Sequence, residues 1–156
     1  MRIDTAPGIA YNTNMSLFQV VLDTNVFVTA LRSRHGASYK LLSLISSQKF
    51  QFNLSVPLVV EYEAVAKRQA DEIELTVQEI DDILDYVVCM ANRWQIHYLW
   101  RPQLTDPNDD MLLELAVTAN CRYIITYNVD DFESAKPFGI EAITPKEFLQ
   151  LIGELP

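Results

Sequence analysis

Cysteine, histidine and glycine are scarce in this chain of 156 residues, which contains two, two and four of them respectively. Cys89 and Cys121 are far apart and have no histidine beside them, so the sequence indicates neither a zinc cluster nor a disulfide framework. No apolar run approaches the roughly 18 residues of a membrane span, and the N-terminus lacks a signal-peptide core. These absences predict a reduced, cytoplasmic protein with no membrane association.

Positive charge is also in short supply, with 12 Lys and Arg against 21 Asp and Glu and a formal net charge of -9. This balance argues against attraction of nucleic acid over the whole surface, but it leaves a local site open. Seven of the acids lie between Asp71 and Asp85, where no basic residue occurs, and the remaining chain is nearly neutral. We interpret this acidic segment as the solvated face of a helix.

Hydrophobic residues make up 49% of the chain, which excludes global disorder, and the length fits one domain. Apolar runs and helical periodicities alternate along it. The predicted strands cover residues 17–23, 50–55, 96–100, 123–126 and 140–143. The predicted helices cover residues 41–45, 57–68, 76–88, 109–120 and 144–149. Thr76 with Glu79, and Thr144 with Glu147, have the spacing of helix N-caps. This alternation predicts an α/β fold with three layers and a parallel central sheet flanked by helices, preceded by a loose tail at residues 1–16.

Several acids fall at the carboxyl ends of the predicted strands, where ligands bind in open α/β sheets. Asp23 ends the first strand, Asp109 opens the helix after residue 100, and Asp131 follows the strand that ends at Thr126. Glu61 lies on the helix after the second strand, on the same face as apolar residues three and four positions away. Because an ionisable group on an apolar face requires a partner, we expect Glu61 to face the other acids.

Carboxylates that lie close together repel one another unless a cation offsets their charge. Ligands that are all oxygen, without a Cys or His cluster, favour a hard ion, and we therefore expect Mg²⁺ or Mn²⁺. Such an ion activates water and stabilises a leaving oxygen, which is what phosphodiester hydrolysis requires.

Simpler interpretations exist for each acid alone. The segment from Asp106 to Asp110 is typical of a turn and helix cap, and Asp23 could bond to backbone amides at the end of its strand. Glu61 could pair with Arg68 or Arg101. The joint arrangement favours one shared acidic site over three coincidences.

Four motifs are similar to those of the PIN-domain family, in particular the toxin-like PIN proteins of VapBC-type toxin–antitoxin systems. They are V-V-L-D-T-N-V at 20–26, L-S with E-Y at 54–62, D-P-N-D-D-M-L-L-E-L-A at 106–116 and I-I-T-Y-N-V-D-D-F at 124–132. The closing I-T-P-K-E-F-L at 143–149 fits as well. The resemblance covers roughly residues 17–150, so residues 17–156 are interpreted as one PIN-like domain.

The resemblance implies a Mg²⁺- or Mn²⁺-dependent endoribonuclease whose products carry a 5′-phosphate. It also implies a toxin that a cognate antitoxin protein inhibits and that forms a homodimer or higher homo-oligomer. Asp23, Glu61 and Asp109 match the catalytic, metal-binding acids of the family. The supporting positions by the same comparison are Thr24, Asn25, Asp106, Asp110, Thr126 and Asn128. Arg32, Arg34, Lys40 and Arg101 are candidates for phosphate contacts.

The chain departs from the family pattern after Thr126. Asn128 stands where the family commonly has Asp, and Tyr127 stands where it commonly has Gly. An Asn oxygen coordinates a metal without contributing charge, and Asp131 is the candidate that compensates as a metal ligand.

Two alternatives to the nuclease follow from the same residues. One is a catalytically weakened PIN-like module that binds RNA or protein. The other is a phosphotransfer domain, which is disfavoured because Asp23-Thr24-Asn25 lacks the second Asp of the D-x-D hydrolases.

Overall fold

The computed structural model describes residues 2–4, 17–96 and 107–156. Six strands form one sheet: β1 (Arg2–Asp4), β2 (Phe18–Leu22), β3 (Phe50–Ser55), β4 (Asn92–Trp94), β5 (Tyr123–Ile125) and β6 (Glu141–Ile143). The helices are α1 (Thr24–Arg32), α2 (Ala37–Ser43), α3 (Val56–Arg68), α4 (Ala70–Ile73), α5 (Val77–Met90), α6 (Pro107–Thr118) and α7 (Pro145–Leu151). A 3₁₀ segment, Val129–Phe138, connects β5 to β6.

The sheet has the strand order β1-β4-β3-β2-β5-β6. Strands β2 to β6 pair in parallel, as predicted, and β1 adds an antiparallel edge on β4. The α/β fold with a parallel central sheet is therefore confirmed. The segment 1–16, expected as a loose tail, contributes the β1 edge strand.

Strand β4 lies at Asn92–Trp94, which was not predicted as a strand, and of the strand expected at residues 96–100 only Ile96 is described, outside regular structure. Residues 97–100 lie outside the described part of the chain. Asn92 and Arg93 are polar, and a polar pair within a strand gives no apolar alternation to detect.

The helix starts follow the predicted caps. Thr76 and Glu79 form a reciprocal capping box at α5, with Thr76 Oγ1 accepting from the Glu79 amide at 3.1 Å. Thr144 accepts from the Glu147 amide at α7 in the same way (3.2 Å). Within the described residues, no helix combines the length and the apolar character needed to cross a membrane.

One face of the sheet is aromatic. Phe18 and Phe50, paired across β2 and β3, both contact the ring of Phe148 in α7, at centroid distances of 6.1 and 5.4 Å. Helix α6 packs across β2, β3 and β5. Helices packed on the sheet in this way bury the central strands, and Val20 and Val21 of β2 are fully buried.

Strands β2, β3 and β4 carry a group of amide side chains, which we call the amide network: half-buried Gln19 and buried Gln51, Asn53 and Asn92. Asn53 donates to Gln19 Oε1 at 3.0 Å, and Asn92 donates to Gln51 Oε1 at 3.0 Å. Asn53 Oδ1 accepts from Trp94 Nε1 at 2.7 Å. Because a buried amide must be paired, the network ties the three strands to one register.

We predict that Asn53→Leu destabilises the protein by about 2 kcal/mol, because it leaves the half-buried indole N–H of Trp94 without its acceptor and removes one of the two donors to Gln19 Oε1. Urea unfolding monitored by circular dichroism measures the change. The control is Gln78→Leu, which removes an exposed amide on α5 and should shift stability by less than about 0.5 kcal/mol. Equal effects of the two substitutions would contradict the role of the network.

Candidate functional site

Asp23 lies at the junction of a strand and a helix, directly after β2 and before α1. Its amide donates to the carbonyl of Ile125 at 2.9 Å, and its own carbonyl accepts from Val26 at 3.0 Å. The first bond extends the pairing of β2 with β5, and the second begins the helix. The residue is only 8% exposed, so the fold places a carboxylate nearly out of contact with solvent.

A buried hydroxyl faces that carboxylate. Thr126, which follows β5 and is fully buried, donates its Oγ1 hydrogen to Asp23 Oδ2 at 2.7 Å. Thr126 Oγ1 also accepts a hydrogen bond from the backbone amide of Asn128 at 2.9 Å. Because Asn128 occupies an acceptor position of the hydroxyl, the hydroxyl hydrogen is directed at Asp23. The structure therefore gives Thr126 a defined role at the site.

Glu61 reaches the same place from α3. Its Oε2 accepts a hydrogen bond from the hydroxyl of Thr24, the first residue of α1. The predicted helix face is present, because Leu58 and Tyr62 are buried and Glu61 is half-buried, whereas Glu63 is exposed. The partner that this face requires is therefore Thr24.

The environment of Asp23 disfavours its charged form. Burial raises the pKa of Asp23 above its ordinary value of 3.8, and the negative charge of Glu61 raises it further. The Thr126 hydroxyl and the amides of Thr24 and Asn25 act in the opposite direction but do not cancel the rise. The Asp23 side chain makes no capping hydrogen bond to α1, so these amides act mainly as nearby dipoles.

Tyr62 connects the acids to the core. Its hydroxyl donates to the carbonyl of Leu22, and its ring stacks on Phe27 with a centroid distance of 4.5 Å. Burial raises the pKa of Tyr62 well above 10.0, and the charges of Asp23 and Glu61 raise it further. The phenol therefore stays neutral and remains a donor. The position of Tyr62 on the apolar face of α3 predicts its burial, but it does not predict the hydrogen bond to the Leu22 carbonyl.

Asn25 supplies an unused acceptor beside Asp23. Its Oδ1 is buried and has no hydrogen-bond partner within the described part of the protein. A buried acceptor without a partner is costly, and it fits a site that receives a cation or a ligand donor. The oxygen lies two residues after Asp23, on the first turn of α1.

Asp109 and Asp110 lie on the first turn of α6. Since α6 connects the parallel strands β4 and β5, its first turn lies at the carboxyl edge of the sheet, as Asp23 does. Both acids are half-buried, so exposure does not rank Asp109 above Asp110.

Glu114, one turn later on α6, is only 8% exposed. The sequence does not predict its burial, because a helical Glu is usually solvated.

Asn128 and Asp131 lie at the start of the 3₁₀ segment, where the Asp131 amide donates to the Asn128 carbonyl at 3.1 Å. Both side chains are exposed. Asp106 lies outside the described residues. In the described ranges, no three Asp, Glu, His or Cys side chains form a group that could hold a metal ion. The structure thus pairs Asp23 with Glu61 but does not gather Asp109 and Asp131 into one cluster with them.

Two of the cations proposed for phosphate contacts, Arg32 and Lys40, are engaged elsewhere. Arg32 ends α1, about 12 Å along the helix axis from Thr24, and its guanidinium donates to Gln69. Lys40 donates to the carbonyl of Glu154 at 2.7 Å. Arg101 lies outside the described residues. These contacts give no support to Arg32 or Lys40 as phosphate ligands.

The fold and the site place this chain in the class of parallel α/β proteins that carry an acidic site at the carboxyl ends of their strands. Within that class, the family model described as PIN domain matches residues 19–130, and the chain belongs to the PIN-domain family. PIN domains are generally nucleases, and these nucleases typically use divalent metal ions.

A solved structure shares the fold. It is the crystal structure of VapBC2 from Rickettsia felis bound to a DNA fragment from their promoter. The similarity has a TM-score of 0.56 and 14% sequence identity, and it covers 81% of this chain and 98% of that one. A search of curated proteins found no match.

We predict that Thr126→Val lowers the free energy of unfolding by about 2 kcal/mol at neutral pH, because hydrogen bonds to charged groups contribute about 1.5–3 kcal/mol. Thr126→Ser retains the hydroxyl and should lose clearly less. Denaturant unfolding of both variants measures the difference. A Val variant as stable as the Ser variant would show that the bond to Asp23 contributes nothing.

The raised pKa of Asp23 sets a pH dependence with a defined sign. Above pH 3.8 the folded state holds its Asp23 proton more tightly than the unfolded state, so this group reduces stability as pH rises through its folded pKa. Asp23→Asn lacks this ionisation but can still accept from Thr126. We predict that its melting temperature rises relative to the unaltered protein over that interval and then levels off. Thermal unfolding of both proteins from pH 4 to 8, with chelator present, tests this prediction. A difference in melting temperature that stays constant over this pH range would contradict it.

Proposed function

We propose that the chain is a metal-dependent endoribonuclease that hydrolyses RNA phosphodiester bonds, and that it is the toxin of a toxin–antitoxin pair. The observation that supports this most directly is the pairing of Asp23 with Glu61 at the carboxyl edge of a PIN-domain sheet. Two carboxylates in a nearly buried site require an offsetting charge.

The donor set fits a hard divalent cation. Asp23 and Glu61 offer charged oxygens, and the buried Oδ1 of Asn25 offers a neutral one with no partner in the described residues. Asp109 is the proposed third acid, because it lies on the first turn of α6 at the same carboxyl edge of the sheet. Mg²⁺ or Mn²⁺ bound there would activate water and stabilise the leaving oxygen.

The residues around the acids prepare them for this role. Thr126 and Thr24 each donate a hydroxyl hydrogen to one acid and thereby fix the orientation of its carboxylate. Tyr62 holds the end of β2 through the Leu22 carbonyl, which keeps Asp23 in place. Asp131 adds negative charge at the rim, where it could assist a second cation.

The toxin assignment has support from the fold shared with the VapBC2 structure and from the family. We propose a cytoplasmic protein with a cognate antitoxin as its protein partner and a homodimeric or larger assembly.

A weakened module that binds RNA or protein is the second candidate. The neutral Asn128 and the missing three-acid group among the described residues favour it. Such a module would bind Mn²⁺ weakly or not at all.

The test combines calorimetric titration with Mn²⁺ and cleavage of a 5′-labelled single-stranded RNA. We expect Mn²⁺ binding and cleavage by the unaltered protein, with loss of roughly 100-fold or more in cleavage for Asp23→Asn and Glu61→Gln. Glu63→Gln is the matched control, because it changes an exposed acid two residues away on the same helix.

The outcomes separate the two candidates. Absence of both Mn²⁺ binding and cleavage would refute the nuclease and select the module. Cleavage that survives Asp23→Asn would refute the nuclease site, and cleavage lost equally in Glu63→Gln would show that general damage, not the site, is being measured.

A further inference from the structure

Tyr127 is an exposed tyrosine that stands at the rim of the acidic site. It lies between Thr126, whose hydroxyl bonds to Asp23, and Asn128, whose amide bonds to that hydroxyl. Thr126 is fully buried, but Tyr127 is 44% exposed. An aromatic ring next to the site therefore meets solvent instead of the core.

The ring is held at both ends. Its hydroxyl is hydrogen-bonded to Oγ of Ser38, which is 1% exposed and lies on the first turn of α2. Its backbone is fixed through Thr126, whose amide donates to the Ile143 carbonyl at 2.9 Å. Tyr127 thus spans the gap between the end of β5 and the start of α2. A ring already immobilised loses little entropy when a ligand stacks on it.

The charge around the ring selects what can bind there. Tyr127 lines a cavity of about 280 Å³ together with Asn128, Val129, Asp130 and Asp131. The two exposed carboxylates repel a phosphate, but they do not repel a neutral base and can accept hydrogen bonds from it. The ligand group that fits this position is therefore a nucleobase.

We propose that Tyr127 is a stacking platform for one base of the RNA substrate, next to the phosphate held at Asp23 and Glu61. This inference rests on the proposed function. It makes Tyr127 a positioning residue that orients the strand, since aromatic rings stack on any base without reading its edge. The alternative is a strut whose sole purpose is to join β5 to α2 through Ser38.

The experiment uses the full chain, Mn²⁺ and a single-stranded RNA whose cleaved position has been mapped. Abasic nucleotides are then placed, one at a time, on either side of that position. KM and kcat are measured for the unaltered protein, Tyr127→Ala, Tyr127→Phe and Ser38→Ala, with Tyr86→Ala as a control that removes another exposed tyrosine.

We expect Tyr127→Ala to raise KM by roughly 5- to 100-fold, the range for loss of one stacked base, with kcat nearly unchanged. One abasic position should raise KM equally for the unaltered protein and have no further effect on Tyr127→Ala. Tyr127→Phe keeps the ring but loses its hydrogen bond to Ser38, so it should raise KM clearly less than Tyr127→Ala, and Tyr86→Ala should stay close to the unaltered protein.

A strut would behave differently. With a strut, Tyr127→Phe and Ser38→Ala would raise KM as much as Tyr127→Ala does. The abasic RNA would then raise KM by the same factor for every variant. Either result overturns the platform.

A second readout does not depend on cleavage. RNA carrying 5-iodouridine next to the mapped or presumed site is irradiated with the protein in chelator, and mass spectrometry locates the adduct. An adduct on Tyr127 supports the stacking platform whether or not the RNA is cleaved. If the adduct forms but no RNA is cleaved, the proposed nuclease activity is refuted and the platform is not. Cleavage without an adduct and without the KM effect refutes the platform alone, and absence of both cleavage and adduct refutes both.

Discussion

The hydrogen bond from the Thr126 hydroxyl to the Asp23 carboxylate is the contact on which the site depends. Asp23 is nearly buried, and burial together with Glu61 disfavours its charge. Thr126 is the strongest of the groups that oppose this effect, and the Asn128 amide orients its hydroxyl. Three chain segments, the ends of β2 and β5 and the start of the 3₁₀ segment, are thereby joined around one charge. The acids are thus held in position at a cost in stability, which is a recurring property of functional sites.

Much of this arrangement could be predicted from the sequence because it follows periodicity. The apolar run before Asp23 predicts a buried strand with an acid at its tip, and the helical spacing around Glu61 predicts a face that requires a polar partner. The parallel sheet follows from the alternation of elements, and the caps at Thr76 and Thr144 follow from local sequence alone. Each of these predictions uses information contained within a few neighbouring residues.

The rest depends on contacts between distant residues, which periodicity does not report. The β4 strand escaped prediction because Asn92 and Arg93 resemble a loop, although Asn92 is satisfied by amides on other strands. Thr24 was expected as a supporting residue, but the sequence does not reveal that its hydroxyl donates to Glu61. Glu114 is buried where helical Glu is normally solvated, and Tyr127 could be identified in the sequence merely as a departure from a family glycine. Polar residues in unusual environments thus account for most of the differences.

The distance along the chain between the partners has a consequence for biosynthesis. Thr24 and Glu61 are 37 residues apart, but Asp23 and Thr126 are 103 apart. At about 5–20 residues per second, a ribosome adds Thr126 roughly 5–20 s after Asp23. Until then the first acid lies at the end of a strand that can pair with β3 alone, without its hydroxyl partner and with β5 and β6 still missing. The acidic pocket is therefore closed by the last third of the chain, and a growing polypeptide carries Asp23 for most of its synthesis before it has the site.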